Sequence, residues 1–528
     1  MAQSIYFGGP ILTMEEPLYA QALVEEDGVI RYVGQLEHAL KLAGPQARKV
    51  DLEGRCLMPA FLDPHSHFMA CANSLLQVQL GECADQEELC RRLGEFVQRE
   101  KLQPGEWVRG TGYDQNDLAQ GCPPDRWMLD RACPGHPVVI QHASGHVGVF
   151  NSRAMELLGV DENTPCPQGG VMEKDDQGRL TGYMEENAFL SLLQKVPMPD
   201  LKDLMDALVR AQDRYASYGI ATVQEGMFMD AMLPLYQAML AQKLLKLDVV
   251  AYANPRDCKN IMEQFGDRVG HYKDHVKIGG DKIFLDGSPQ GRTAWMRQPY
   301  AGESDYRGYP TLTDEQVYER MKSALERDVQ LLAHCNGDRA AEQYLSVMER
   351  LERETGRRLR RPVMIHAQLV GRDQLPRLKA LGMIPSFFVA HVYHWGEVHV
   401  KNFGLERAEH ISPAGTACAL GIPFTFHQDS PVIQPNMMET VWCAVNRRTK
   451  TGRLLGEEER ISTLEALKAV TVYAAYQYFE EDRKGSLAVG KAADFVILGQ
   501  DPLTADPMAL RDIPVLETIK DGRTIWPC

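Results

Sequence analysis

Leu57-Met58-Pro59-Ala60-Phe61-Leu62-Asp63-Pro64-His65-Ser66-His67 is an apolar run that ends in two histidines one residue apart. Read as a strand, it turns residues two apart to the same side. His65 and His67 then project together from its C-terminal end, and two neighbouring imidazoles form half of a metal site. The same spacing also suits ordinary surface or core histidines near a turn. The rest of the chain bears on the choice, because it supplies further ligand-type residues in order.

The 528 residues are too many for one small core and enough for a barrel with accessory domains. A net charge of -15 argues against nonspecific nucleic-acid binding. The first residues have neither a basic segment nor a long apolar one, so no secretory signal is expected. No run is apolar for long enough to span a bilayer. The 12 cysteines are scattered without a Cys-x-x-Cys pair and read as reduced, mostly buried cytosolic thiols. Cys335, next to the candidate ligand His334, reads as a packing residue.

Both ends of the chain read as short strands and turns. Candidates are Ser4 to Phe7, Ala22 to Glu25 and Val29 to Val33, with Glu26-Asp27-Gly28 as a turn. At the other end, Gly485 to Leu498 reads as a turn and a strand, and Thr518 to Trp526 as a hairpin around Asp521-Gly522. One small β-sandwich domain built from residues 1–57 and 485–528 is expected. Residues 58–75 carry the first barrel strand and the histidine pair. Residues 76–196 fit a simple β/α alternation poorly and read as an inserted α+β subdomain. Within it, His142 and His146 either face a pocket or serve as ordinary hydrogen-bonded residues.

From residue 197 to 484 the rhythm changes. Leu201 to Ser217 repeats apolar residues every three or four positions, as a helix does. Strands are expected at Gly219 to Glu225, Leu247 to Tyr252, Lys282 to Gly287, Val329 to Ala333, Val363 to His366, Met383 to Phe388 and Ile422 to Phe426. Helical stretches lie between most of them. Thr313-Asp314-Glu315-Gln316 predicts a capping-box start to the helix that follows. With the opening strand these make eight β-units. Strands alternating with helices imply a parallel sheet, and eight such units a (β/α)8 TIM barrel.

Catalytic residues of such a barrel sit at the C-terminal ends of its strands. His65 and His67 end strand one, Lys282 lies on strand four, His334 ends strand five and His366 ends strand six. Asp429 follows strand eight in Phe426-His427-Gln428-Asp429-Ser430. Six residues of metal-site type fall on or just after barrel strands.

The motifs PAFLDPHSH, KIFLDGSPQGRTAW, HCNGDRA, MIHAQL and HQDSPV, with the trailing GSLAVGKAADFVIL, resemble the amidohydrolase superfamily, and within it the YtcJ-like or amidohydrolase-3 group. The match covers nearly the whole chain. Ala60 stands where the first motif usually has glycine. The resemblance implies that His65 and His67 bind the more buried metal and that Lys282 is carbamylated and bridges two ions. It implies that His334 and His366 bind the second ion, and that Asp429 ligates the first and shuttles the proton. Lys277, in Val276-Lys277-Ile278-Gly279-Gly280, is the alternative to Lys282.

The metal expected is one or two divalent ions, zinc first, with iron and manganese also matching such ligands. A divalent ion lowers the pKa of bound water and polarises a carbonyl. A carboxylate beside the hydroxide takes its proton and passes it to the leaving nitrogen. Arg292, after strand four, would bind an anion or pair with Asp286. His391, Tyr393, His394 and Trp395, in a loop after strand seven, would form a substrate wall or simply pack. His146 is a further substrate-binding candidate, and Asp338 would orient His334 from behind.

Together these readings predict a cytoplasmic hydrolase of a non-peptide C–N bond in a small amide, an N-substituted formamide or related N-acyl compound within the resemblance. Neither nucleic acid nor membrane is an expected partner, and a homo-oligomer is open. The rivals are a deaminase of the same superfamily, disfavoured because such deaminases lack the bridging lysine, and a catalytically silent barrel, disfavoured by the full ligand set.

Overall fold

A computed structural model describes residues 3–527 apart from 82, 116–117, 143–146 and 198. The chain divides into two units, Met1–Met69 with Ala211–Cys528 and Ala70–Arg210. The first begins with β1 (Gln3–Leu12), β2 (Tyr19–Glu26), β3 (Val29–Gly34), β4 (Arg48–Asp51), β5 (Cys56–Pro59) and β6 (Phe61–Leu62). The second holds β7 (Val78–Gln79), β8 (Val108–Tyr113), β9 (Val138–His142), β10 (Val147–Phe150), β11 (Gly170–Lys174) and β12 (Leu180–Glu186). The first unit resumes with β13 (Ile220–Phe228), β14 (Asp248–Ala253), β15 (Val276–Phe284), β16 (Gln330–Cys335), β17 (Val363–His366), β18 (Ile384–Phe387) and β19 (Thr425–Phe426). It closes with β20 (Phe495–Leu498), β21 (Val515–Lys520) and β22 (Arg523–Trp526).

The two chain ends share one sheet, in the order β22-β21-β20-β5-β1-β2-β3, with β4 also on β1. Leu57 of β5 lies opposite Ile497 of β20, and Pro59 opposite Phe495. Tyr6, Ile11, Leu23, Leu57, Phe495 and Ile519 pack beneath it. Burying a large apolar side chain contributes about 1.5–3 kcal/mol, so the C-terminal strands hold the N-terminal ones in place.

The opening run is not one strand. Cys56–Pro59 belongs to this terminal sheet, whereas Phe61–Leu62 pairs in parallel with β13 in another. Ala60 alone separates them. Its N–H donates to Asp494 O, and that of Phe61 donates to Gly219 O. Every residue from Cys56 to Leu62 is buried, so both halves look alike in hydropathy.

The second sheet runs β6-β13-β14-β15-β16-β17-β18-β19, parallel and in chain order. It curls, because Leu62 of its first strand and Ile384 of its seventh share an apolar cluster with Val250, Tyr252, Leu332, Val363 and Ile365. The helix Asp314–Glu326 starts on the predicted capping box of Thr313 and Gln316.

Two elements differ from expectation. β15 begins at Val276 rather than Lys282, so Lys277 and Lys282 share a strand. Gly279-Gly280 serves close strand pairing here: a Cβ on Gly280 would collide with the Gln330 backbone. The segment after β18 is a helix, His391–Phe403, rather than a loop. Its histidines and aromatics mask the 3.6-residue period.

The second unit is an α+β body by itself. Its sheet runs β11-β12-β10-β9-β8-β7. Leu89 and Leu93, from the helix Gln86–Glu100, pack on Val108, Val138 and Ile140. Among the described residues no helix is long and apolar enough to cross a membrane.

Candidate metal centre

The six predicted ligands converge. Asp429 Oδ1 lies 3.3 Å from His65 Nε2 and 3.4 Å from His67 Nε2, without a hydrogen bond to either. Asp429 Oδ2 is 3.9 Å from His366 Nε2. Lys282 Nζ is 3.1 Å from His65 Nε2, and the rings of His334 and His366 are 4.6 Å apart. His65 and His67 lie past the end of β6. They are held by Asp63 N–H donating to Thr222 O, Gly226 N–H to Ser66 O and His67 N–H to Ser430 O.

Gln224, on β13, sets the direction of His65. Its amide nitrogen donates to Pro64 O at 2.6 Å and to the Tyr478 hydroxyl at 3.1 Å. The amide oxygen therefore faces His65 Nδ1, 2.6 Å away. An amide oxygen only accepts, so His65 carries its proton on Nδ1 and turns a bare Nε2 into the cluster. Metal-binding histidines are commonly fixed in this way. Two positions on, Gly226 leaves room for the ring: a Cβ there would stand 2.7 Å from His65 Cε1.

Two of the converging residues have strained backbones. His366 has φ of 71° and Asp429 φ of 53°, a left-handed conformation that costs non-glycine residues about 1–3 kcal/mol and clusters at functional sites. Burial favours the neutral form of His65 and His366, while Asp429 stays charged. Burial and then the Lys282 charge push His65 down to about 3. Burial likewise holds His366 well below its ordinary value. Burial alone would raise Asp429, but His65, His67 and His366 outweigh it and keep the carboxyl well below the usual range.

Burial brings Lys282 down to about 7, against the opposing pull of Asp429. Lys277, on the same strand, is engaged elsewhere: its Nζ donates to Tyr478 O at 2.8 Å and to Glu480. Asp286 Oδ1 is 3.4 Å from His334 Nδ1 and accepts from Asn336 N–H, while Oδ2 accepts from Gly337 N–H. Asp286 therefore stands behind His334. Asp338, expected there, accepts from the backbone of Arg297 instead.

The remaining candidates are spread out. Arg292 pairs with Glu303 at 3.0 Å rather than with Asp286. His391 is buried, with Nδ1 3.0 Å from His399 Nε2 and its ring 4.5 Å from that of Trp395. His394 Nε2 meets Glu439 at 3.1 Å. His146 lies outside the described residues. In the second unit, His142 Nε2 is 3.5 Å from Asp114.

Sequence reasoning missed three polar residues around the cluster. Besides Gln224 these are Glu225 and His427. Glu225 is buried, pairs by an isolated bridge with His67 and is pushed up to about 7, chiefly by burial. His427 is fully buried against His366. A signal existed for Gln224 and Glu225, since two adjacent polar residues interrupt an otherwise apolar strand.

The donor set fits a divalent cation. One atom each from His65, His366 and Asp429 lie within 4.8 Å of one another. Asp429 Oδ1 is buried without a hydrogen bond, whereas buried polar atoms are ordinarily paired. Neutral imidazoles with one carboxylate suit zinc, iron or manganese.

Comparison with known proteins agrees with this geometry. The family model described as Amidohydrolase family matches residues 48–526. YtcJ of Bacillus subtilis (strain 168), designated an amidohydrolase, is 27% identical over 544 residues, covering 99% of each chain. The N-substituted formamide deformylase of Arthrobacter pascens is 27% identical over 522 residues, covering 95% of this chain and 94% of that one. A metal-dependent hydrolase from Pyrococcus furiosus, itself uncharacterised, matches in structure with a TM-score of 0.76 at 27% identity. That match covers 95% of this chain and 100% of the other. The chain belongs to the amidohydrolase family and is a hydrolase acting on carbon–nitrogen bonds.

Proposed function

We propose that the chain is a metal-dependent hydrolase that cleaves a non-peptide C–N bond in a small amide, with an N-substituted formamide or related N-acyl compound as substrate. The convergence of His65, His67, Lys282 and His366 on Asp429, with His334 beside His366, carries this reading. The likeness to the formamide deformylase supports the substrate class.

When bound here, a divalent ion supplies Lewis acidity and makes water nucleophilic near neutral pH. His65, His67, His334 and His366 would hold one or two such ions, and Gln224 keeps the bare Nε2 of His65 turned into the cluster. Asp429, ionised at neutral pH, takes the proton of the attacking water and delivers it to the leaving nitrogen. Burial favours the uncharged amine of Lys282. That amine would add CO2 to give a carbamate, releasing one proton and gaining a carboxylate that would serve as a further metal ligand. His391 and Trp395 form part of the substrate wall. His394 and Arg292, each engaged by a carboxylate, contribute less. The same reading closes the curled sheet into a (β/α)8 barrel, folds the terminal strands as a β-sandwich, treats residues 76–196 as an insertion and places the enzyme in the cytoplasm.

The test is a hydrolysis screen of protein reconstituted with zinc or manganese and bicarbonate. Substrates are N-substituted formamides, other N-acyl amines, cyclic amides and amino-heterocycles. Release of free amine with formate or another acid is expected. Ammonia from the heterocycles alone would point to a deaminase, and no turnover with no metal retained would sink the reading.

A further inference from the structure

His366 Nδ1 lies 3.0 Å from His427 Nε2, and His427 Nδ1 lies 2.9 Å from Ser386 Oγ. His427 and Ser386 are fully buried, and His366 is 5% exposed. The three residues come from the ends of neighbouring strands: His366 closes β17, Ser386 lies in β18 and His427 follows β19. Among the described residues, the ring nitrogens of His427 contact only Ser386 and His366.

The proton count along this line has two solutions. If His427 carries its proton on Nε2, it donates to His366 Nδ1. The His366 proton then sits on Nε2, facing Asp429, where it repels a cation. If His427 carries its proton on Nδ1, it donates to Ser386, and its bare Nε2 accepts the proton of His366 Nδ1. Only this second arrangement leaves His366 Nε2 free to bind a metal. A serine hydroxyl can accept as well as donate, so Ser386 can complete it.

We propose that His427, backed by Ser386, is the positioning residue that holds His366 in its metal-binding tautomer. It serves His366 as Gln224 serves His65. The inference rests on the metal-site reading above, and it concerns residues that do not themselves touch the ion.

The comparison with Gln224 supplies the control. A glutamine oxygen can accept from an imidazole Nδ1, so His427→Gln should keep the function and His427→Phe should lose it. Zinc alone is the probe, titrated into metal-free full-length protein against a chromophoric chelator, with melting of the metal-free protein followed in parallel. His427→Phe should bind zinc about 10–100-fold more weakly than wild type, the range seen when such partners are removed, while His427→Gln stays close to wild type. Ser386→Ala, which keeps both rings, should weaken zinc by a smaller factor and covers the case in which His427→Phe does not fold.

Imidazole 15N spectra of the zinc-loaded wild type should show His366 protonated on Nδ1 and His427 on Nδ1. The inference is overturned by wild-type zinc affinity in His427→Phe or Ser386→Ala. It is equally overturned by the opposite proton assignment, or by equal losses in the Gln and Phe variants when both melt normally. Wild-type protein that takes up no zinc at all would instead overturn the metal reading, and this inference with it.

Discussion

Lys282 Nζ and His65 Nε2 face each other at 3.1 Å, with Lys282 fully buried and His65 1% exposed. One of the two must donate, and the lysine is the only donor, because Gln224 has fixed the His65 proton on the far nitrogen. The amine is thus aimed into the site.

Reconstitution without CO2 should leave Lys282 unmodified and lower the metal content to one ion per chain or less. Bicarbonate should restore it. Intact mass would show one added CO2 in wild type and none in Lys282→Ala. Equal metal content with and without bicarbonate would remove the bridging role.

Gln224→Leu deletes the acceptor of a buried imidazole N–H. An unsatisfied buried donor costs about 1–3 kcal/mol, so the metal-free protein should melt earlier. Zinc affinity should fall about 10–100-fold. Chelator competition and melting curves on the same preparation check both; unchanged zinc affinity would show that His65 orients itself.

Asp429→Asn keeps the shape and loses the charge. Hydrolysis should drop about 10²–10⁴-fold, the range of general acid–base catalysis. Elemental analysis of the same sample separates lost chemistry from lost metal. Near-normal turnover in a metal-loaded variant would reopen the choice of base.

Far from the metal cluster, Asp248 accepts from Lys484 at 2.5 Å and lies 3.1 Å from Lys520. Burial pushes its carboxyl up, but Lys484, Lys520 and His275 outweigh burial and hold it well below the ordinary range. A depressed folded-state pKa gives stability that is complete above the unfolded value, about 3.9. That stability is lost as pH falls through the lower folded value. Melting temperature should therefore fall steeply below pH about 4. Asp248→Asn should flatten that slope and destabilise at pH 7 by less than the roughly 3–5 kcal/mol of a fully stranded buried charge, because Lys520 keeps Asp494 and Asp521 and Lys484 keeps Glu480. Thermal melts from pH 3 to 7 on both proteins test it; parallel curves would exclude the pair as the acid-labile element.

Removing residues 487–526 strips β20, β21 and β22 from the terminal sheet. β5 then loses its β20 neighbour, and Tyr6, Leu23 and Leu57 lose Phe495 and Ile519 from their core. The truncated chain should melt far below the full chain or fail to stay soluble. A truncation with native melting and activity would show that the N-terminal strands stand alone.

The converging residues were legible because the histidines and Asp429 follow apolar runs and Lys282 opens one, and each carries a side chain with little other reason to be there. Their surroundings were not. Gln224, His427 and Ser386 act across 2.6–3.0 Å of space between strands remote in sequence, and nothing local distinguishes His427 and Ser386 from satisfied core polar residues. The order of the parallel strands was readable from the alternation of strand and helix. The start of β15 was hidden by Gly279-Gly280, and the division at Ala60 by unbroken apolarity on both sides.

That division has a consequence for biogenesis. β5 and β6 are one residue apart, yet β5 faces β20, which the ribosome makes about 440 residues later. At roughly 5–20 residues per second, the edge of β5 stays without that partner for about 20–90 s. Throughout that interval an apolar strand edge beside His65 and His67 is open to wrong pairing. The step most exposed to aggregation in a cell is therefore the delay before the last strands arrive, rather than the assembly of the parallel sheet.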